Sequence, residues 1–197
     1  MASGKLQGVR IAILVSDGYE ELELIEPQRA LEHSGASTFV VSSTKHISAM
    51  DKVEGMDRGK RRQRVPLDVP LESARPEDFH ALLLPGGPRN AEHLIANTEA
   101  LEFAKEFMRT RKLVAAIGEG VELLRRIGVL HGRMVAAGAP LRRELENEGT
   151  VCVDDGVVCD SNLITARSLN DVAALSQEMT RVLAGLREHS AGIRKLA

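Results

Sequence analysis

Aromatic residues are scarce in this chain: no Trp, one Tyr and four Phe in 197 residues. Any core must therefore be largely aliphatic, and hydrophobic residues still make up 43% of the sequence. Cysteine is nearly missing as well. Cys152 and Cys159 are too few for a disulfide scaffold, so a reducing, cytoplasmic setting is expected. No apolar run approaches the roughly 18 residues that cross a bilayer, and residues 1–6 lack the apolar centre of a secretion signal. No membrane partner is expected. An excess of one charge is also lacking: the formal net charge is −2, which argues against a nucleic-acid binder. The six His residues show no His-x-x-x-His spacing, and neither a metal nor another cofactor is expected.

What is present alternates between strand and helix. The length suits one α/β domain over 1–197, with a core at about 8–186. Short apolar runs predict strands at 9–15, 38–42, 80–84, 113–117, 133–137 and 163–166, with 113–117 as the central one. Leu22, Ile25, Ala30 and Leu31 mark one face of a helix that Pro27 kinks or delays. Residues 100–108 and a stripe from Val172 to Leu186 are spaced as helices, and 189–197 reads as a polar tail. The pattern predicts a doubly wound, mostly parallel sheet with helices on both faces.

Two stretches interrupt the alternation. Residues 45–75 read as a flap or hairpin standing off the sheet. It carries Arg58-Gly59-Lys60-Arg61-Arg62-Gln63-Arg64, either a solvated loop or an anion site or subunit contact. Without interleaved aromatics it is a poor platform for nucleic acid. Residues 151–159 read as a hairpin turning at Asp155-Gly156, which would set Cys152 opposite Cys159 as free thiols.

The most informative position is Gly118. Leu113-Val114-Ala115-Ala116-Ile117 is a buried-strand pattern, Gly118-Glu119-Gly120 follows, and Val121-Glu122-Leu123-Leu124 opens a helix. A sharp strand-to-helix turn is where α/β enzymes mount a nucleophile. Here the tip has no side chain, and Gly118 is expected to hold backbone angles that residues with a β-carbon avoid.

Four stretches in register resemble the ThiJ/PfpI superfamily, which has a flavodoxin-like, glutamine-amidotransferase-like fold. They are Ile11 to Val15 with Asp17-Gly18-Tyr19-Glu20-Glu21-Leu22-Glu23-Leu24; Ala81-Leu82-Leu83-Leu84-Pro85-Gly86-Gly87; Val114 to Gly120; and Val157 to Arg167. The superfamily includes intracellular cysteine peptidases, glyoxalases, deglycases and stress proteins. The resemblance implies a site at Gly118, with Glu23, or secondarily Glu20, as the carboxylate approaching the nucleophile. It also implies oxyanion donors at the N–H groups of Gly87 and Glu119. Gly86, Gly87, Gly118, Glu119 and Gly120 would line the binding site. Relatives read Ala-Ile-Cys-His-Gly where this chain reads Ala-Ile-Gly-Glu-Gly, so Gly118 replaces the thiol and Glu119 the imidazole. A Tyr or His that relatives often carry before Pro is Ala139 here. Glu92-His93 falls near where peptidase relatives place a carboxylate that serves a neighbouring subunit, or is simply the acid of a helix start.

Two functions follow from this reading. One is a catalytically degenerate member: a self-assembling, stress-related or ligand-binding protein taking a small carbonyl compound or anion. The other is an enzyme, either a hydrolase or a glyoxalase/deglycase working through Glu23 and Glu119, or a peptidase by family membership. Two acids in one cleft would raise the pKa of one of them and could perform acid–base work.

Overall fold

The computed structural model describes residues 4–45, 52–57 and 60–195. Strand β1 (Arg10–Leu14) leads through a short β2 (Tyr19–Glu20) into α1 (Glu21–His33) and back to β3 (Ser37–Ser42). Strands β4 (Lys52–Asp57) and β5 (Lys60–Pro66) form an antiparallel hairpin, and β6 (Val69–Pro70) follows. The chain continues through β7 (Ala81–Leu84), α2 (Pro88–Ile95), α3 (Thr98–Arg109), β8 (Leu113–Ile117) and α4 (Val121–Arg126). It ends with β9 (Met134–Ala136), α5 (Ala139–Asn147), β10 (Val151–Val153), β11 (Val157–Asp160), β12 (Leu163–Ala166) and α6 (Val172–Lys195).

Seven strands form one sheet in the order β11-β12-β8-β7-β1-β3-β6, parallel throughout except for β11 at one edge. Both faces are covered, as uniformly apolar strands require. Ile11, Ile13, Leu83 and Ala115 face Leu24 and Leu31 of α1 and Leu175 and Met179 of α6. Ala12, Leu14, Leu82 and Val114 face Leu94 of α2, Phe103 and Phe107 of α3 and Leu124 of α4. The chain winds from β1 outward to β3, then returns to β7 on the other side of β1 and goes on to β8. The strand order reverses between β1 and β7, and the crevice at their C-terminal ends is where such sheets hold ligands.

Several expectations need correction. The strand at the middle of the sheet is β7; β8 is third from the β11 edge. β9 lies outside the main sheet and pairs with β10 in a two-stranded parallel sheet. The expected hairpin over 151–159 does not form. β10 pairs Cys152 with Val135 of β9, and β11 pairs Cys159 with Ile164 of β12. Asp155-Gly156 carries the chain between two sheets, and the hairpin turn is Ser161-Asn162, with Ser161 at φ 56°. Fully buried Val135 and Leu163 draw the two strands to different partners, and that burial outweighs the local turn preference. The two cysteines are free but do not face each other.

Pro27 does not delay α1, which begins six residues earlier and buries Pro27. α6 continues to Lys195 through most of the expected tail, because extending a formed helix costs little; residues 196–197 lie outside the described residues. Within 45–75, β4 and β5 do make a hairpin, joined by β2 into a three-stranded sheet, but Val69–Pro70 belongs to the main sheet beside β3. Residues 46–51, Arg58 and Gly59 lie outside the described residues.

Candidate functional site

Two of the three turns that meet at the β1/β7 crevice, the acidic turn and the Pro85-Gly86-Gly87 turn, are tied down by hydrogen bonds to their backbone. Gly18 N–H donates to Glu54 O and Glu54 N–H to Asp17 Oδ1, both at 2.8 Å, which ties the acidic turn to the β4–β5 hairpin. Glu20 N–H donates to Gly86 O at 3.1 Å, which ties it to the Pro85-Gly86-Gly87 turn. Asn90, wholly buried on α2, clamps both turns. It accepts from Ser16 N–H at 2.7 Å and donates to Pro85 O and Gly86 O at 2.9 and 3.1 Å. Asn90 belongs to no motif in the sequence. Its signal was a polar residue next to Ala91 on the apolar stripe of α2, a position that demands hydrogen-bond partners.

Glu23 stands in the first turn of α1 and is 5% exposed. Its Oε2 accepts Gly86 N–H at 2.7 Å. Glu119 follows β8 in the Gly118–Gly120 turn, and its Oε2 accepts Gly87 N–H at 3.1 Å. Successive N–H groups of one turn thus hold two different carboxylates. A β-carbon on Gly86 would lie 2.6 Å from Glu23 Oε2 and 2.9 Å from Glu119 Oε2, so the two oxygens converge on one point and leave no room there for a side chain. Burial pushes the Glu23 carboxyl up to about 7. The Gly86 hydrogen bond opposes this, and the negative charges of Glu119 and Glu20 reinforce it. Glu20, just before α1, contributes charge to the site, while Glu23 is the acid that faces the turn.

Gly118 has φ 50°, a left-handed conformation that glycine tolerates and that strains other residues. A β-carbon there would meet Glu23 Oε1 at 3.6 Å and Oε2 at 3.9 Å, both ordinary contacts. The position reserved for a side chain faces Glu23, and it is empty because the residue is glycine. Gly120 has no such room: a β-carbon would come within 2.2 Å of Leu84 O, so this glycine lets the turn pack on the end of β7.

The site therefore gathers Glu20, Glu23, Gly86, Gly87, Gly118, Glu119 and Gly120. The remaining residues singled out from the sequence lie elsewhere. Cys152 sits on β10 and Cys159, exposed, on β11. Ala139 is the exposed first residue of α5. Glu92 is exposed, and His93 Nδ1 lies 3.2 Å from Ser16 Oγ. In the basic run, Arg64 pairs with Glu54 at 3.0 Å. Among the described residues no group of three or more His, Cys, Asp or Glu is placed to hold a metal ion, and no helix is long and apolar enough to cross a membrane.

An uncharacterized protein of Staphylococcus aureus is 33% identical over 176 residues, covering 88% of this chain and 98% of its own length. A two-domain protein of Anabaena variabilis, with DJ-1/ThiJ/PfpI-like and ferritin-like domains, superposes with a TM-score of 0.80 at 28% identity, covering 89% of this chain and 48% of that one. This chain thus spans about half of that structure. A cysteine-to-alanine mutant of a DJ-1 superfamily protein from Salmonella typhimurium superposes at 0.78 with 25% identity, covering 94% and 98%. The DJ-1/PfpI family model matches residues 9–181, and with the crevice at β1 and β7, the Pro-Gly-Gly turn and the left-handed turn after β8, the chain belongs to the DJ-1/PfpI family.

Proposed function

We propose that this chain is a member of the family without thiol chemistry: a cytoplasmic, self-associating protein, ligand-binding or stress-related, that takes a small carbonyl compound or anion in the crevice at Gly118. The observation that carries this reading is the Gly118 turn. It keeps the left-handed backbone and the space beside Glu23 but has no nucleophilic side chain. Nucleophilic catalysis needs a nucleophile within reach of its base. The two cysteines sit on other elements, with their thiols held above the ordinary range by burial first and by the nearby carboxylates of Glu146 and Glu178 respectively. A peptidase of the thiol type lacks its central group here. Incubation with methylglyoxal and with a peptide substrate, before and after iodoacetamide, tests the reading. No alkylation-sensitive turnover is expected, and turnover that vanishes on alkylation would overturn it.

One observation favours a second reading. Glu23 is held near a pKa of 7, with the Glu119 carboxylate beside it. An acid poised at the working pH can both give and take a proton. A hydrolase or glyoxalase of this kind would keep its activity after alkylation and lose it in Glu23→Gln.

A further inference from the structure

The Gly87 N–H is the outermost donor of the Pro85-Gly86-Gly87 turn. It stands at the N-terminus of α2, where the helix carries partial positive charge and favours an anionic or carbonyl oxygen. Gly87 is locked in place: φ is 101°, and a β-carbon would come within 2.4 Å of Gly18 O. In this chain the donor is not open to the crevice, because Glu119 Oε2 accepts it at 3.1 Å. Glu119 belongs to an exposed residue at the rim, so its carboxylate can swing away without disturbing packed structure. The neighbouring donor, Gly86 N–H, is taken by buried Glu23, which cannot leave so easily. The two donors of the turn thus have one fixed and one removable occupant.

We propose that Glu119 is an internal stand-in for the ligand: its carboxylate holds the Gly87 N–H that a carbonyl or carboxylate oxygen of an incoming small molecule takes, so that binding requires Glu119 to leave. Glu119 then sets affinity and selectivity at the crevice. A weak acceptor fails to displace it, and a ligand that also engages Glu23 gains a second contact. This rests on the reading of the Gly118 crevice as a ligand site. It is read out separately from thiol independence, because it concerns one backbone amide rather than turnover.

The test follows the Gly87 amide by ¹H–¹⁵N NMR in wild type, Glu119→Ala and Glu119→Gln, with acetamide as a neutral carbonyl probe that avoids repulsion between carboxylates. Without probe, the Gly87 resonance should move in the alanine variant and stay close to wild type in the glutamine variant, whose side-chain oxygen still accepts. On titration, acetamide should bind the alanine variant at least about tenfold more tightly than wild type, the scale expected for a displaced charge-assisted hydrogen bond. The glutamine variant should gain less than the alanine variant, because its neutral oxygen still occupies the Gly87 N–H but accepts more weakly than the carboxylate. An unmoved Gly87 amide in the alanine variant would overturn the proposal, as would acetamide titrating all three chains alike or not at all. Equal gains in the alanine and glutamine variants would also overturn it, since charge alone would then explain the effect.

Discussion

Glu23 connects the site to the stability of the fold. Its carboxyl is near 7 in the folded chain, against about 4.3 for an exposed glutamate. A raised carboxyl means that the folded state holds its proton after the unfolded state has released it. Stability linked to Glu23 is therefore full below about pH 4.3, falls as pH rises to about 7 and is flat above that. The whole effect is about 4 kcal/mol as an upper bound. Glu23→Gln keeps an acceptor for Gly86 N–H and removes the titration. Urea unfolding across this pH range should show wild type losing stability relative to Glu23→Gln, and parallel curves would refute the assignment. The same scale holds a design prediction. Gly118→Cys should cost about 1–2 kcal/mol, because φ is 50°. It should still fold, because the new β-carbon meets only ordinary contacts. Its thiol should react with iodoacetamide faster than Cys152 or Cys159, whose thiols are held up. Adding Glu119→His should quicken it further by removing a negative charge that opposes a thiolate. A rate no higher than those of the native cysteines would refute this.

Among the elements, the β4–β5 hairpin supports the acidic turn. Tyr19 is wholly buried, and Gly55 on β4 leaves space for its ring: a β-carbon there would lie 3.0 Å from Tyr19 Cζ. Its hydroxyl reaches Gln63 O at only 3.5 Å, too far for a strong bond. Packing rather than hydrogen bonding should dominate, so Tyr19→Ala should cost about 3–5 kcal/mol and Tyr19→Phe under about 1 kcal/mol by urea denaturation. This scale also shows what the sequence reveals. β8, β12 and α3 were legible because a run of buried aliphatics or a helical stripe has one solution. The partners of β10 and β11 were not. Asp155-Gly156 suits a hairpin locally, and only the burial of Val135 and Leu163, set by distant parts of the chain, decides otherwise. In the candidate site Glu23, Gly86, Gly87, Gly118 and Glu119 were legible as a group. Asn90 was not, because its role is to hold two backbone turns that are far apart in sequence.

For the molecule as a whole, self-association is the property that the fold leaves open to measurement. A net charge of −2 gives little long-range repulsion between copies. Leu22 is 41% exposed on α1, directly before Glu23, and lines a groove of about 1010 Å³ between α1 and α6. Leu22 continues into the apolar lining of this groove, Ala30 of α1 and Ala173 and Ala184 of α6, and that continuous surface is one that a second copy can cover. Sedimentation at micromolar concentration should therefore show a dimer or larger, and a lone 21.4 kDa species would refute this. Leu22→Lys tests whether α1 takes part. The substitution is at the surface, so it should leave the unfolding free energy of the monomer within about 0.5 kcal/mol of wild type. If α1 lies in the interface, the same change should weaken association at least about tenfold, because burying an unpaired lysine is costly. Association unchanged by Leu22→Lys would place the contact on another face and separate assembly from the acidic turn.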